Sequence, residues 1–377
     1  MTTTVCLGAR ALSYPTGGGH LWVYLNWALG LKTLGCRVLW LEQWPRGEAY
    51  ERLEMQVALL RLRLRRFGLT EEIVLAPCGG EVLPRKLPPG CVPVQEIYGA
   101  DLLLNQIYEM DADIVRAFRR SALLDIDPGL LQIWMHGKVL NVAPHDLYFT
   151  IGETIGKHGS AVPSVDLPWL YTRPSVALDS WPVAASDPGS AFTTVTHWYS
   201  DEWVVDGKNA YLNNKRSSFL EYLELPVRVS PPIEIAACFG EGEEEDRNLM
   251  QINGWRIRDS GDVAGSPEAF QRYIQGSRAE FSCAKPSCMR LQNAWVSDRT
   301  LCYLASGRPV VVQYTGASEF LPQAEGMFRF RSIEEAALSI ERVAADYERH
   351  ARCARKMAEE YFDARKVVGR LLEQALS

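Results

Sequence analysis

The chain has 377 residues, more than a single core ordinarily holds, and at roughly 150 residues per domain it calls for two or three domains. Hydrophobic residues make up 47% and charged residues 23%, which excludes disordered, collagen-like and coiled-coil classes. Lys and Arg total 40 against 46 Asp and Glu, a formal net charge of -6, and no basic stripe stands out, so nucleic acid is disfavoured as a partner.

The N-terminal residues lack the basic head and long apolar core of a secretory signal, and no run reaches the roughly 18–20 apolar residues that span a bilayer. The expectation is a cytoplasmic protein with no membrane span. The 9 cysteines are odd in number and scattered. They read as buried free thiols, Cys6 and Cys238 among them, rather than as a disulfide framework. Cys283 and Cys288 are near neighbours but lack a second ligand pair, so no metal site is expected. The basic clusters at 61–66 and 116–120 read as solvated helix faces.

In chain order, residues 3–9 predict a buried strand, and 13–19 a turn. Leu21, Tyr24, Leu25, Ala28, Leu29 and Leu31 recur at helical spacing until Gly35, and 37–42 predict the next strand. Further strands are expected at 102–105, 122–127 and 147–152. Alternation of this kind indicates a doubly wound α/β domain. Residues rich in Pro, Ser and Asp then break regular structure. A second alternating series has strands at 192–196, 233–238, 255–257, 279–282 and 309–313, with helices near 247–250, at 267–274 and at 298–305. Residues 333–376 read as helical. The predicted division is an N-terminal domain at 1–170, a linker at 171–191, a C-terminal domain at 192–350 and a final helix at 351–377 that crosses back to the first domain. The fold class is two Rossmann-like α/β domains facing across a cleft.

Gly17, Gly18 and Gly19 lie between the first strand and the first helix, where bare backbone N–H groups and a helix N-terminus favour an anion. The spacing is not the dinucleotide fingerprint, and no ribose role can be assigned to Glu42. His20, at the helix start, is a candidate general base. Asp127 or Asp101 is its candidate orienting carboxylate, with Asp127 also readable as the start of a turn. Glu153, at a strand end, is a candidate acceptor contact. Trp44, Trp134, Trp169, Trp198 and Trp203 are candidates for stacking on an acceptor ring, each individually more typical of a core.

In the second half, Ser297 and Asp298 precede a helix that Gly307 ends, and Pro309 leads into an apolar strand. The start of that helix, Ser297, Asp298, Arg299 and Thr300, is a natural cradle for a diphosphate. Lys285, Arg290 and Arg299 supply cations. Thr315 and Gly316 follow the next strand.

The segment Ala305-Ser306-Gly307-Arg308-Pro309-Val310-Val311 resembles the small-residue helix and Gly-x-Pro-Val-Val run in the donor domain of the GT-B type glycosyltransferases. The Gly17-Gly18-Gly19-His20 loop is similar to that fold's glycine-rich first loop, where several inverting members place a catalytic histidine. The resemblance implies donor contact by Gly18, Gly19, Thr315 and Gly316, and a last helix that returns to the first domain. Cys302 stands where retaining members carry the second of two glutamates, which leaves ribose recognition to another group such as Asp298. The tryptophan-glutamine signature of plant-type glucosyltransferases is missing.

The expected activity is hexosyl transfer from a nucleotide-diphosphate sugar, a UDP-sugar first, to a hydroxyl of a small molecule or glycan. It would be metal-independent, with no permanently bound cofactor. Alternatives are a sugar-nucleotide epimerase on the same scaffold, a transferase acting on modified nucleic-acid bases, and an inactive binding module. Oligomeric state and stereochemical outcome are not legible.

Overall fold

Short apolar runs bounded by turns become parallel strands, because a strand covered on both faces needs no polar side. The structure, a computed structural model, describes residues 2–44, 47–69, 72–207, 209–322 and 325–377. The chain divides into two units: one takes residues up to 158, Val162–Ala177 and Ala364–Ser377, the other Gly159–Ala161 and Leu178–Asp363. The division thus falls at Ala177 and Asp363, inside the span expected as a linker and 12 residues after the expected start of the final helix.

The first unit contains β1 (Thr4–Ala9), β2 (Arg37–Gln43), β3 (Ile73–Ala76), β4 (Cys91–Pro93), β5 (Leu102–Asn105), β6 (Ser121–Asp125), β7 (Leu147–Thr150) and β8 (Trp169–Tyr171). Their order in the sheet is β4-β3-β2-β1-β5-β6-β7-β8, every pairing parallel. The second unit contains β9 (Phe192–His197), the antiparallel hairpin β10 (Trp203–Asp206) and β11 (Asn209–Leu212), then β12 (Ile233–Cys238), β13 (Arg256–Asp259), β14 (Ala279–Ser282), β15 (Val310–Gln313) and β16 (Met327–Phe330). Its main sheet is parallel in the order β13-β12-β9-β14-β15-β16. Both sheets are doubly wound. Strand order reverses between β1 and β5 in one and between β9 and β14 in the other, and ligands in such sheets sit outside the strand carboxyl ends at that reversal.

The helix Gly18–Thr33 is largely apolar on all sides, and every residue from Leu21 through Leu31 except Val23 is buried, as befits a helix covered on two sides. One cover is the helix Ala364–Leu376, which packs closely at Gly30. A Cβ there would lie 2.8 Å from Val368 Cγ2 and 2.9 Å from Ala364 Cβ. The join is reinforced where Ala177 N donates to Asn26 Oδ1 and Ala364 N to the Val176 carbonyl.

The stretch 333–376 is three helices rather than one run: Ile333–Ala345, Tyr347–Met357 and Ala364–Leu376. Asp346, with φ -137°, separates the first two, and a π turn at Ala358–Phe362 precedes the third. Two residue-level expectations need correction. Cys238 is exposed, because it ends β12 rather than lying within it. Arg63 is buried, with its guanidinium on the Pro15 carbonyl, so residues 61–66 are not wholly a solvated face. Trp198 is core, packed on Phe219 and Phe239, with its Nε1–H donated to Asp246.

Gly30→Val is expected to destabilise the protein by about 1–3 kcal/mol through overpacking against Val368 and Ala364, read as a lower urea midpoint with an unchanged m-value.

Candidate functional site

In the second unit the switch point is organised by Arg299. This residue lies in the first turn of the helix Asp298–Ala305, which starts after Ser297 and ends where Gly307 adopts φ +70°. Its Nε donates to Glu280 Oε1 at 2.8 Å, its Nη1 to the Val195 carbonyl at 2.8 Å, and its Nη2 to Ser282 Oγ. One guanidinium therefore ties β9 to β14. The Glu280 side chain is 0% exposed, so the pair sits out of water, where a charge needs its partner. Arg299 is held as a strut.

Around the exit of β14 two further cations gather. Lys285 pairs with Glu202 at 2.8 Å. The Lys215 ammonium donates to the Cys283 carbonyl, and burial, helped by the like charges of Arg299 and Lys285, lowers its pKa to about 8. Lys215 is a residue the sequence reading missed. It opens the helix Lys215–Leu220, whose Asn214 cap accepts from Ser217 N at 3.1 Å. A cation in the first turn opposes the helix dipole, and that local conflict was the available signal. Arg290, by contrast, is exposed and lies over the Tyr211 ring at 4.2 Å.

Ser297, Arg299, Thr300 and Thr315 line one recess together with Ser282 and Arg329, whereas Asp298, Lys285, Arg290 and Gly316 do not. Its free volume is about 20 Å³, room for a water-sized group and not for a nucleotide. Any larger ligand meets the rim. The loop before the helix is held tightly. Gln292 and Ala294 adopt φ +47° and +59°, Thr315 donates its hydroxyl to the Trp295 carbonyl at 2.7 Å, and a Cβ on Gly316 would lie 2.4 Å from the Gln292 carbonyl. Left-handed backbone at non-glycine residues is maintained only where the surroundings enforce it, and it clusters at functional sites. Thr315 and Gly316 serve here as that enforcement.

In the first unit the glycines form the start of a helix: Gly18 and Gly19 begin it, and His20 is its third residue. Gly17 admits no side chain freely, since a Cβ would lie 3.1 Å from His20 Cβ and 3.2 Å from the Tyr14 carbonyl. His20 Nε2 is 3.2 Å from the Arg10 carbonyl and 3.4 Å from the Tyr24 hydroxyl, and its ring lies against those of Tyr14 and Tyr24. A carbonyl can only accept, which assigns the ring proton to Nε2 and leaves Nδ1 basic. Burial lowers the imidazole pKa from its ordinary value.

The expected orienting carboxylates hold other positions. Asp101 accepts from Thr4 N and Arg119, at the amino ends of β1 and β5, the opposite edge of the sheet from His20. Asp127 is exposed and accepts from the Tyr108 hydroxyl at 3.2 Å. Its neighbour Asp125 is buried, accepts from Gln132 and Thr150, and is pushed by burial to about 7. Glu42 is the staple of the loop: it accepts from Ala11 N, Leu12 N and Trp40 Nε1, while burial pushes its pKa up to about 8. Glu153 is buried past the end of β7, and its charge adds to the burial that raises the Tyr171 pKa.

No protein-family model matches this chain, and no curated protein does. Solved structures do match. HepE of Anabaena, in complex with UDP and glucose, is similar over 99% of both chains at 13% identity, with a TM-score of 0.59. An α-glucosyltransferase in complex with UDP and a DNA containing an HMU base is similar over 100% of both chains at 9% identity, with a TM-score of 0.62. The fold shared with them is GT-B.

Replacing Arg299 with Met leaves Glu280 buried and unpaired and is expected to cost about 3–5 kcal/mol of stability, measured by chemical denaturation. Glu42→Ala strands three donors and is expected to cost about 3 kcal/mol or more, seen as a lower melting temperature.

Proposed function

We propose that this GT-B chain is a glycosyltransferase that moves a sugar from a nucleotide-diphosphate sugar, a UDP-sugar first, to a hydroxyl of a small molecule or glycan. The observation behind the reading is the crowding of Lys215, Lys285 and Arg299 at the exit of β14. Lys285 and Arg299 are paired with Glu202 and Glu280, while the buried Lys215 ammonium meets the neutral Cys283 carbonyl; an arriving diphosphate supplies the anion that favours its charged form. The N-terminus of the helix Asp298–Ala305 adds its dipole, with Ser297 and Thr300 on the recess wall as hydroxyl contacts. UDP in the complexes of HepE and of the α-glucosyltransferase supports a uridine nucleotide.

In this reading the sugar–phosphate bond breaks and the departing diphosphate's charge is met by Lys215 and Lys285, with Arg299 fixing the loop geometry; a metal ion is not required for that step. Asp298 is the proposed ribose contact. Gly18 and Gly19, at the start of the helix, are the proposed backbone contacts for an anionic group. His20 Nδ1 takes the proton of the attacking acceptor hydroxyl, and an in-line displacement of this kind inverts the anomeric centre. Asp127 and Glu153 are acceptor-side carboxylates, Asp127 through its exposed oxygens beyond β6.

His20→Ala is expected to lower kcat by about 10²–10⁴-fold while leaving the UDP affinity of the protein unchanged, measured by initial rates and titration calorimetry. The neutral imidazole is the active form and burial depresses its pKa, so kcat/KM should rise with pH, with the midpoint of the rise below the ordinary histidine value near 6.5. UDP should raise the melting temperature. That stabilisation should fade as pH rises through about 8, where Lys215 loses its proton, and Lys215→Met should abolish both the fade and most of the stabilisation. A protein whose melting temperature responds to no nucleotide diphosphate is not this enzyme.

A further inference from the structure

At the carboxyl end of the first sheet one polar side chain is left with nothing to bond. Gln106 follows β5, and its N–H donates to the Gly8 carbonyl at 3.3 Å, closing the last pair of the β1–β5 ladder, Gly8 with Asn105. It is 2% exposed. Neither its Nε2 nor its Oε1 has a hydrogen-bond partner among the described residues.

The register shows which face it occupies. Cys6, Leu39, Leu41 and Leu103 share one core cluster, so alternation puts Ala9, Glu42 and Gln106 on the opposite face. Ala9 pairs with Glu42, and Gln106 directly follows the last β1–β5 pair, Gly8 with Asn105. Glu42 and Gln106 thus stand on one face at the carboxyl ends of strands two spacings apart, with β1 between them. The helix Gly18–Thr33 covers this face, as the contact of Tyr24 with Trp40 shows. Its first turn carries His20 at the same strand ends, and the Tyr24 hydroxyl there feels the charges of Glu42 and Asp127. Glu42 is fully engaged by three N–H groups. The Gln106 amide is not. An amide taken from water without partners is a cost to the fold, and it lies at the reversal of strand order, where this class of sheet binds ligands.

We infer that Gln106 is a sugar-binding residue: one ring hydroxyl donates to its Oε1 and an adjacent hydroxyl accepts from its Nε2. The inference rests on the transferase reading and specifies it. A planar group offering a donor and an acceptor side by side fits a vicinal diol, in which each hydroxyl can do either. Such a diol could belong to the donor's glycosyl group or to an acceptor sugar.

The test compares wild type with Gln106→Leu, and with the unbranched Gln106→Met should the leucine variant fail to fold. Without ligand the variant should melt about 2–4 °C higher, because two unpaired buried groups are gone. In calorimetry, UDP should bind within about twofold of wild type, while the further affinity contributed by sugar should fall roughly tenfold. Loss confined to UDP-glucose over UDP assigns the diol to the donor; loss confined to glucose added to the UDP complex assigns it to the acceptor. A lower melting temperature in both variants shows that the amide is structural and overturns the inference, as does an unchanged sugar contribution. Either result leaves the transferase reading standing if UDP binds; a wild type that binds no nucleotide diphosphate removes both.

Discussion

Every strand of both main sheets runs parallel to its neighbours, and that constraint organises what the chain can do. Parallel strands need long crossovers, so all the carboxyl ends emerge at one edge and the loops that follow them gather there. Strand interiors are apolar and close-packed. Polar side chains concentrate where the strands stop, and in each unit the reversal of strand order opens room between two diverging loops. Lys215, Lys285 and Arg299 gather at one such edge, His20, Glu42, Gln106 and Asp127 at the other.

The two edges differ in electrostatic character. The second unit gathers cations beside two carboxylates already paired with them, Glu280 and Glu202. The first gathers carboxylates whose pKa values burial pushes towards neutrality, Glu42 and Asp125, beside an imidazole pushed the other way. A cation cluster suits an anion with a localised charge. Glu42 and Asp125 hold the loops from within, while the imidazole of His20, the Gln106 amide and the exposed Asp127 suit an uncharged polyhydroxylated molecule and the movement of a proton. The division of labour proposed for the enzyme follows from that contrast.

Much of the architecture was legible because buried parallel strands leave a strong mark: Leu102–Asn105, Ile233–Cys238, Ala279–Ser282 and the helix Asp298–Ala305 lie where the apolar runs and caps put them. Among the described residues six strands escaped notice: β3, β4, β8 and β16, three or four residues long and towards the margins of their sheets, and the hairpin β10–β11, which belongs to neither main sheet; short strands register only where, as at 102–105, they form one unbroken apolar run. The candidate site was legible only as residue types. Sequence marks Arg299 as a cation but carries no sign that its fork is occupied by β9 and β14, since Val195 and Glu280 are far away along the chain. Thr315 and Gly316 sit where a donor contact was expected, and there Thr315 bonds to the loop ahead of the helix while Gly316 packs closely on it. Gln106 gave no signal at all, because a lone amide after a strand is commonplace until burial and the missing partners are known.

The first unit is completed by a helix that lies at Ala364–Leu376, after the whole of the second unit in the chain. During synthesis from the N-terminus, the groove at Gly30 therefore waits uncovered while some two hundred residues are added. The second unit has all its strands by Phe330 and can close before its neighbour does. An apolar helix exposed for that interval is an invitation to misassociation, so the nascent chain has reason to keep the first unit unfinished or shielded until the last helix arrives to seal it.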